Sequence, residues 1–229
     1  MAKKRISDVL IEVLANAGIE RIYGITGDSL NSVNDSLRRN GKISFEHVRH
    51  EETAAFAAGA EASLTGKLTV CAGSSGPGNL HLINGLFDCH RNRVPVLAIA
   101  SHIPQSEVGL NYFQETHPEN LFKECSCFCE LVSNPKQMPE ILFRAMNAAV
   151  GNQDVAVIVL PGDVAVMEME IDELPVWHHP RLPHIIPQRE DIEEMVAHLE
   201  KGERITLFCG AGCEGAHDEV VELAKRLQA

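Results

Sequence analysis

The sequence predicts an α/β fold in which a doubly wound parallel sheet has helices on both faces. Short apolar runs of strand length alternate with longer runs of helical periodicity from residue 19 to residue 160. Such alternation is typical of parallel strands joined by crossover helices. Residues 94–100 and 155–160 are continuously apolar, as expected for strands that are covered on both faces.

The individual elements follow from periodicity, capping residues and glycine or proline stops. Helices are predicted over residues 6–17, 30–39, 52–64, 80–87 and 138–150, and strands over residues 19–25, 43–48, 68–72, 94–100, 126–132 and 155–160. Asp28 or Ser29 can cap the second helix. The basic residues Lys3, Lys4 and Arg5 precede the first helix and are interpreted as a plain terminal run.

A change of composition marks the end of the alternating region. Residues 167–187 are dense in proline, histidine and acidic residues, which is typical of a linker. His178, His179 and His184 lie in this segment and could be read as a metal-binding tract. The neighbouring prolines favour an extended tether instead.

The remaining residues predict the start of a second α/β domain. A helix over residues 191–199, a strand over 205–209 and a helix over 218–227 follow one another. We therefore predict a first domain with its linker over residues 1–182 and an incomplete second domain over 183–229. A glycine-rich turn at Gly210, Gly212 and Gly215 is weak evidence for a dinucleotide, because no acidic ribose partner follows.

Composition and charge exclude some functions. The 229 residues are 45% hydrophobic, which is enough for a sizeable core. A net charge of −12 argues against nucleic acid and against an acidic membrane surface as partners. The sequence has no signal peptide and no apolar run of membrane-spanning length, so a cytoplasmic protein is expected.

The seven cysteines are predicted to be free thiols in a reducing compartment. Cys125, Cys127 and Cys129 alternate as one face of a strand would, and their spacing does not fit a zinc site. We predict buried structural thiols at these positions. The same interpretation applies to the other cysteines, Cys71, Cys89, Cys209 and Cys213.

Glu51 is the first candidate functional residue. It lies where the strand over residues 43–48 gives way to the helix over 52–64, so its carboxylate is expected at the carboxyl edge of the sheet, where α/β folds bind ligands. That helix is rich in alanine, and a partner helix or a cofactor ring could approach its backbone closely. The alternative is that Glu51 and Glu52 only complement the helix dipole.

The loop over residues 73–79 is the second candidate feature. It follows a strand and precedes a helix, and its sequence is Gly-Ser-Ser-Gly-Pro-Gly-Asn. A phosphate cradle is one interpretation, but neither the Rossmann nor the Walker spacing fits, and Pro77 removes one N–H donor. Pro77 is better suited to offering a rigid apolar face to a ring.

Together these features resemble the pyrimidine-binding domain of thiamine-diphosphate enzymes. The resemblance rests on Glu51 after His50 and on the Ser-Gly-Pro-Gly turn, and it extends over nearly all of the chain. It implies that Glu51 is catalytic, because its carboxyl group shares a proton with the aminopyrimidine ring and so activates the cofactor. It also implies cofactor contacts from Thr26, Gly27, Pro77 and Asn84.

A second segment narrows the resemblance. Residues 102–118 form a long polar stretch that is typical of a working loop, and they contain the sequence Phe-Gln-Glu-Thr-His-Pro. This sequence resembles the quinone-dependent pyruvate dehydrogenases, also called pyruvate oxidases. The resemblance implies that Phe113 and Gln114 border the cofactor and the substrate pyruvate. A second interpretation is that Phe113 anchors the loop in the core, and both roles could hold together.

The resemblance further implies parts that this chain does not complete. In that family FAD binds to a middle domain, a third domain holds the diphosphate through Mg²⁺, and the active site is shared within a dimer or tetramer. Electrons pass to a quinone at the membrane, which implies a cytoplasmic enzyme with peripheral membrane association. We interpret the chain as an N-terminal part of such an enzyme that is inactive alone.

Two other functions remain open at the level of sequence. A carboligase of the same superfamily, similar to acetolactate synthase, would use the same pyrimidine-binding features. A noncatalytic interaction module would use the small-residue helix as a contact surface. The Phe-Gln-Glu-Thr-His-Pro segment favours pyruvate oxidation over the carboligase. No metal ligand is predicted among the residues of the chain.

Overall fold

The structure is a computed structural model that describes residues 2–181 and 183–229. The chain forms two compact units, Met1–Leu182 and Pro183–Ala229. The strands are β1 (Ala2–Arg5), β2 (Arg21–Gly24), β3 (Ser44–His47), β4 (Thr69–Gly73), β5 (Val96–His102), β6 (Phe128–Leu131), β7 (Val155–Pro161) and β8 (Glu168–Ile171). The helices are α1 (Ile6–Asn16), α2 (Asn31–Asn40), α3 (Glu51–Thr65), α4 (Pro77–Asn92), α5 (Pro118–Leu121), α6 (Met138–Asn152), α7 (Gly162–Val166), α8 (Arg189–Leu199) and α9 (His217–Leu227).

A six-stranded parallel sheet organises the first unit, in the order β3-β2-β4-β5-β7-β6. Successive residues of a strand point to opposite faces of the sheet. Leu97 and Ile99 of β5 therefore join the core that contains α1, α2 and α6, whereas Ala98 and Ala100 join the core that contains α3 and α4. Both faces are covered by helices, which confirms the predicted fold class.

The predicted helices and strands of this sheet are present, with shifted ends. The largest shift is in α4, which begins at Pro77 and ends at Asn92, whereas residues 80–87 were predicted. Proline suits the first helical turn because its missing N–H would have no partner there. None of the described helices is long and apolar enough to span a membrane.

The two ends of the first unit pair with each other, which the sequence did not predict. Strand β1 pairs antiparallel with β8, so that Lys4 lies opposite Met169. The interpretation of Lys3, Lys4 and Arg5 as a plain terminal run is therefore wrong. The linker interpretation of residues 167–187 is wrong for β8 and for the buried Trp177, whose Nε1 donates to Asn147 Oδ1 at 2.9 Å.

The second unit contains α8, α9 and a short 3₁₀ turn over Ala211–Cys213. The strand predicted over residues 205–209 is not formed, and the side chain of Phe208 is fully exposed. An apolar run becomes a strand only when a neighbouring strand accepts and donates its backbone hydrogen bonds. No such neighbour lies among the described residues of this unit.

The cysteines divide by burial, so the prediction that all are buried is partly wrong. Cys71, Cys89 and Cys125 are buried, whereas Cys127 and Cys209 are exposed and Cys129 and Cys213 are half-buried. Burial raises the pKa of the Cys89 thiol to about 12 and that of Cys125 to about 11. Strand β6 begins only at Phe128, so Cys125 and Cys127 precede it, and the three cysteines do not share one face of a strand as predicted.

Candidate active site

Glu51 is the first residue of α3 and lies just beyond the carboxyl end of β3. It is buried, with 8% of its surface exposed. His50 caps the helix, because its Nδ1 accepts a hydrogen bond from the backbone N–H of Glu52 at 3.3 Å. The cap and the helix start together hold the Glu51 carboxylate at the edge of the sheet, where the loops after several parallel strands meet.

His81 on α4 reaches the same carboxylate. Its Nδ1 lies 3.2 Å from Glu51 Oε2, within hydrogen-bonding distance. The imidazole rings of His81 and His50 are stacked, with centroids 4.3 Å apart and planes 25° apart. The imidazoles of His50 and His81 and the carboxylate of Glu51 therefore lie side by side at the carboxyl edge of the sheet.

Gly76, just before α4, and Gly78, in the first turn of α4, leave room around the carboxylate and the neighbouring loop. A Cβ atom added at Gly78 would lie 3.2 Å from Glu51 Oε1. Gly76 has a φ of 66° and a ψ of −114°, a conformation that side-chain-bearing residues rarely adopt. Its added Cβ would also meet Gln114 at 3.1 Å. Glycine is therefore required here both for the turn and for the close approach of two loops.

Asn79 fastens the start of α4 to the sheet. Its Nδ2 donates to the backbone oxygen of Ser101 at 2.7 Å, and its Oδ1 is buried without a hydrogen-bond partner. Ser101 belongs to β5, the strand next to β4. This bond fixes the position of the α4 first turn, and with it the position of Pro77, relative to the sheet.

The predicted cofactor residues lie in three different places. Gly27 packs against Ser74, since an added Cβ would approach the Ser74 side chain to 2.4 Å, so the loops after β2 and β4 touch. Thr26 is exposed and lines a separate cavity with residues of α2 and β3. Asn84 is exposed, and its Nδ2 donates to Glu52 Oε1 at 2.6 Å.

Phe113 and Gln114 border a cavity of about 460 Å³ beside the glycine turn. Gln114 is half-buried, and Ser75 Oγ donates to its Oε1 at 3.2 Å. Phe113 is 80% exposed, so the interpretation that it anchors the loop in the core is wrong. Its exposed ring is available to a ligand or to another protein surface.

Glu115 and His102 lie near the wall of this cavity in very different surroundings. Glu115 accepts hydrogen bonds from the backbone N–H groups of Gly109 and Tyr112, which lower the pKa of its carboxyl group and brace the loop. His102, at the end of β5, is buried with Nδ1 unpartnered. Burial lowers the pKa of His102 because a charged imidazole would lose its hydration.

Sequence reasoning missed His81, although a signal was present. His81 lies four residues after Pro77, so a helix that begins at Pro77 places both residues on one face. The predicted helix began at residue 80, which hid this relation. His102 carried no sequence signal, because its burial depends on the loop that covers it.

Comparison with known proteins identifies the family. Residues 4–121 match the family described as "Thiamine pyrophosphate enzyme, N-terminal TPP binding domain". The chain belongs to the thiamine pyrophosphate enzymes. The matched residues include Glu51, the glycine turn and Phe113, so the resemblance stated from the sequence is confirmed at the level of the family.

Three relatives align along almost the whole chain. An uncharacterized 42.6 kDa protein of Pseudomonas amyloderamosa is 57% identical over 100% of this chain and 58% of its own length. A pyruvate oxidase of Lactiplantibacillus plantarum is 33% identical over 96% of this chain and 37% of its own length. An acetolactate synthase of Arthrospira platensis is 32% identical over 99% of this chain and 41% of its own length. The chain thus spans between about two-fifths and three-fifths of these relatives.

The site of this thiamine pyrophosphate enzyme domain fits the pyrimidine end of the cofactor. A ring needs a carboxyl partner for its nitrogen, and the buried Glu51 carboxylate supplies one. It also needs space, which Gly78 leaves because a side chain there would press on Glu51. Exposed Pro77 presents its apolar ring at the same turn.

Proposed function

We propose that this chain is the pyrimidine-binding domain of an enzyme that oxidatively decarboxylates pyruvate. The observation that carries the pyrimidine-binding role is the buried Glu51 carboxylate, set between the start of α3 and the glycine turn within the matched residues. The pyruvate oxidase among the relatives and the Phe-Gln-Glu-Thr-His-Pro segment support pyruvate as the substrate.

The residues of this chain orient the cofactor and exchange a proton with it. His81 lies at Oε2 of Glu51, so Oε1, on the side of Gly78, would be the oxygen that holds the pyrimidine nitrogen through a shared proton. Bound thiamine diphosphate supplies a nucleophilic carbon that adds to a 2-oxo acid and stabilises the charge left when CO₂ departs. Gly27 and Pro77 would border the ring, and Phe113 and Gln114 would border the pyruvate side.

The complete enzyme would divide its other tasks among further parts. We propose that Mg²⁺ and the diphosphate are held by another domain, that FAD accepts the electrons, and that a membrane quinone takes them from FAD. The resemblance to quinone-dependent pyruvate dehydrogenases supports this division of tasks. Such an enzyme would be cytoplasmic and would associate peripherally with the membrane.

Self-association is part of the same proposal. Helices α3 and α4 carry exposed large apolar side chains close to the site, Phe56 and Leu80. Residues of this kind on neighbouring helices favour contact with a second protein surface. We propose that this surface packs against a second subunit, so that the pyrimidine of one subunit meets the diphosphate-binding domain of the other.

A carboligase similar to acetolactate synthase is the second candidate. The acetolactate synthase of Arthrospira platensis is 32% identical to this chain, which is nearly the same as the 33% of the pyruvate oxidase. The pyrimidine-binding residues serve both reactions equally. The two functions differ in what accepts the two-carbon unit or its electrons.

The test supplies pyruvate, thiamine diphosphate, Mg²⁺ and FAD to this chain and to the protein encoded by its complete gene. We expect reduction of an artificial quinone to match CO₂ release in the complete protein, and no turnover by this chain alone. Formation of acetolactate without quinone reduction would assign the carboligase function. Absence of CO₂ release from any 2-oxo acid would contradict both.

A further inference from the structure

The cluster of His50, Glu51 and His81 has the donor atoms of a transition-metal site. Each side chain offers one ligand atom, and these atoms all lie within 4.8 Å of one another. Two imidazole nitrogens and one carboxylate oxygen form the donor set of several zinc enzymes, which leave a fourth position open. Nitrogen donors of this kind select Zn²⁺ or Cu²⁺ over Mg²⁺.

The spacing of the cluster is close to that of a tetrahedral site. Zinc bonds of roughly 2.0 to 2.1 Å place neighbouring ligand atoms about 3.3 Å apart. His81 Nδ1 and Glu51 Oε2 are already 3.2 Å apart. The side chains of His50 and His81 are 46% and 47% exposed, so both rings can turn toward an ion without displacing core residues.

Glu52 strengthens the cluster from one side. Its Oε2 lies 3.7 Å from His50 Nδ1, and its Oε1 accepts a hydrogen bond from Asn84 Nδ2 at 2.6 Å. Because His50 Nδ1 accepts the backbone N–H of Glu52, the Glu52 carboxylate acts through its negative charge, which favours a cation at the cluster. The opposing influence is the start of α3, whose N-terminal dipole disfavours a cation.

We propose that Zn²⁺ or Cu²⁺ binds to His50, Glu51 and His81 and competes with the thiamine pyrimidine for Glu51. A metal ion bound at Glu51 Oε2 withdraws charge from the whole carboxylate, so Oε1 becomes a weaker partner for sharing a proton with a ring nitrogen. The metal site depends only on the cluster, whereas the competition rests on the proposed function. The cluster would make the cofactor-free protein sensitive to zinc or copper, with thiamine protecting it.

Direct binding to this chain tests the metal site. Zn²⁺ titration calorimetry and Co²⁺ absorption spectroscopy are expected to give one ion per chain, and Mg²⁺ is expected to give no heat. His50→Ala and His81→Ala are each expected to weaken Zn²⁺ binding at least about ten-fold. His81 is exposed and caps no helix, so His81→Ala should leave the circular dichroism spectrum unchanged and is the cleaner variant, whereas His50→Ala also removes the cap of α3.

The histidine-containing linker and the exposed thiols provide matched controls. His184→Ala and Cys209→Ser remove exposed donors outside the cluster and should leave the Zn²⁺ affinity within about two-fold. If His81→Ala binds Zn²⁺ as tightly as the parent chain, or if either control variant loses Zn²⁺ binding, the proposed metal site is wrong.

A second arm separates the metal site from the proposed function. Thiamine without phosphate groups is used as the competitor, because a diphosphate would itself bind the metal ion. We expect thiamine to lower the apparent Zn²⁺ affinity of the parent chain, after correction for zinc bound by thiamine alone. If Zn²⁺ binding depends on His81 but does not change with thiamine, the metal site is supported and the proposed competition is wrong.

Discussion

His81 and Glu51 are 30 positions apart in the chain, and yet His81 Nδ1 lies 3.2 Å from Glu51 Oε2. The contact exists because α3 and α4 pack closely, with Gly85 of α4 against Ala55 of α3. It occupies one carboxylate oxygen and leaves Oε1 on the side of Gly78. The two helices therefore determine which oxygen a bound ring can reach.

Glu51→Gln should abolish most cofactor activation in the complete protein. Glutamine keeps the shape and a hydrogen-bonding group but cannot share a proton with the pyrimidine nitrogen. Loss of one positioned acid-base group typically costs about 10²- to 10⁴-fold in rate. The measurement is exchange of the thiazolium proton for deuterium, which does not depend on FAD or quinone.

The control for this prediction is Glu52→Gln. Glu52 bonds with Asn84 and lies in the first turn of α3, so the change should cost about 0.3 to 1 kcal/mol of stability through the helix dipole. Proton exchange should be nearly unchanged. Equal exchange rates in the parent protein and Glu51→Gln would remove Glu51 from the mechanism.

Gly85→Ala should destabilise the first unit. The added Cβ would lie 2.6 Å from Ala55 Cβ and 2.7 Å from the Glu52 backbone oxygen, and backbone atoms cannot move aside cheaply. Overpacking of this kind typically costs about 1 to 3 kcal/mol. Urea unfolding followed by circular dichroism measures the loss.

Gly151→Ala is the matched control, because Gly151 also lies in a helix and an added Cβ meets nothing within 4 Å. It should leave stability unchanged or raise it by up to about 1 kcal/mol through helix propensity. If the two alanine variants unfold at the same urea concentration, close packing of α3 on α4 does not limit stability.

His102→Gln should make stability less sensitive to acid. Burial lowers the pKa of His102, while Glu119, Glu115 and Asp163 raise it and His117 lowers it further. The unfolded chain takes up a proton near pH 6.5 that the folded protein resists, so stability is present above that pH and is lost as the pH falls through the folded pKa. Glutamine removes this proton uptake.

Free energies of unfolding between pH 7.5 and pH 5 test the His102 prediction. The parent chain should lose stability more steeply than His102→Gln over this range. Exposed His184 serves as the comparison, since His184→Gln should keep the slope of the parent. If the free energy of unfolding of His102→Gln fell with pH as steeply as that of the parent chain, the acid sensitivity would belong to other groups.

Phe56→Lys and Leu80→Lys should weaken self-association. Both side chains are large, apolar and exposed on α3 and α4, and a charge within an apolar contact loses its hydration. Sedimentation velocity over a range of concentrations should show a shift toward the monomer in both variants. Leu64→Lys, near the end of α3, makes the same change of charge and should leave association intact if only the surface near the site is used.

The outcome that contradicts this prediction is a parent chain that remains monomeric at high concentration. In that case neither Phe56 nor Leu80 covers a subunit contact within this chain. Equal effects of all three lysine substitutions would indicate a general effect of charge.

Much of the fold could be predicted because its signals are local. The continuous apolar runs of β5 and β7 predict buried strands by themselves, and the alternation with helical runs predicts the parallel sheet. The start of α3 could also be placed to within one residue, because the strand before it and the alanine-rich run after it bracket Glu51. The family resemblance rests on the same contiguous residues.

Other features depended on groups that are distant in the chain. The pairing of β1 with β8 brings together the two ends of the first unit, and no local pattern specifies such a partner. Residues 205–209 have an apolar pattern but no neighbouring strand within the described part of their unit, so the pattern does not produce a strand. Burial of Cys125 and exposure of Cys127 depend on where β6 begins.

The sequence by itself determined the α/β class, the position of Glu51 at the start of a helix and the glycine turn, since each follows from residues adjacent in the chain. Only the tertiary structure decided that His50 and His81 stack beside Glu51 and that His102 is buried at the cavity wall. The physical reason is that helical and strand periodicity specify which face of an element is apolar. They do not specify which side chains of two packed elements meet.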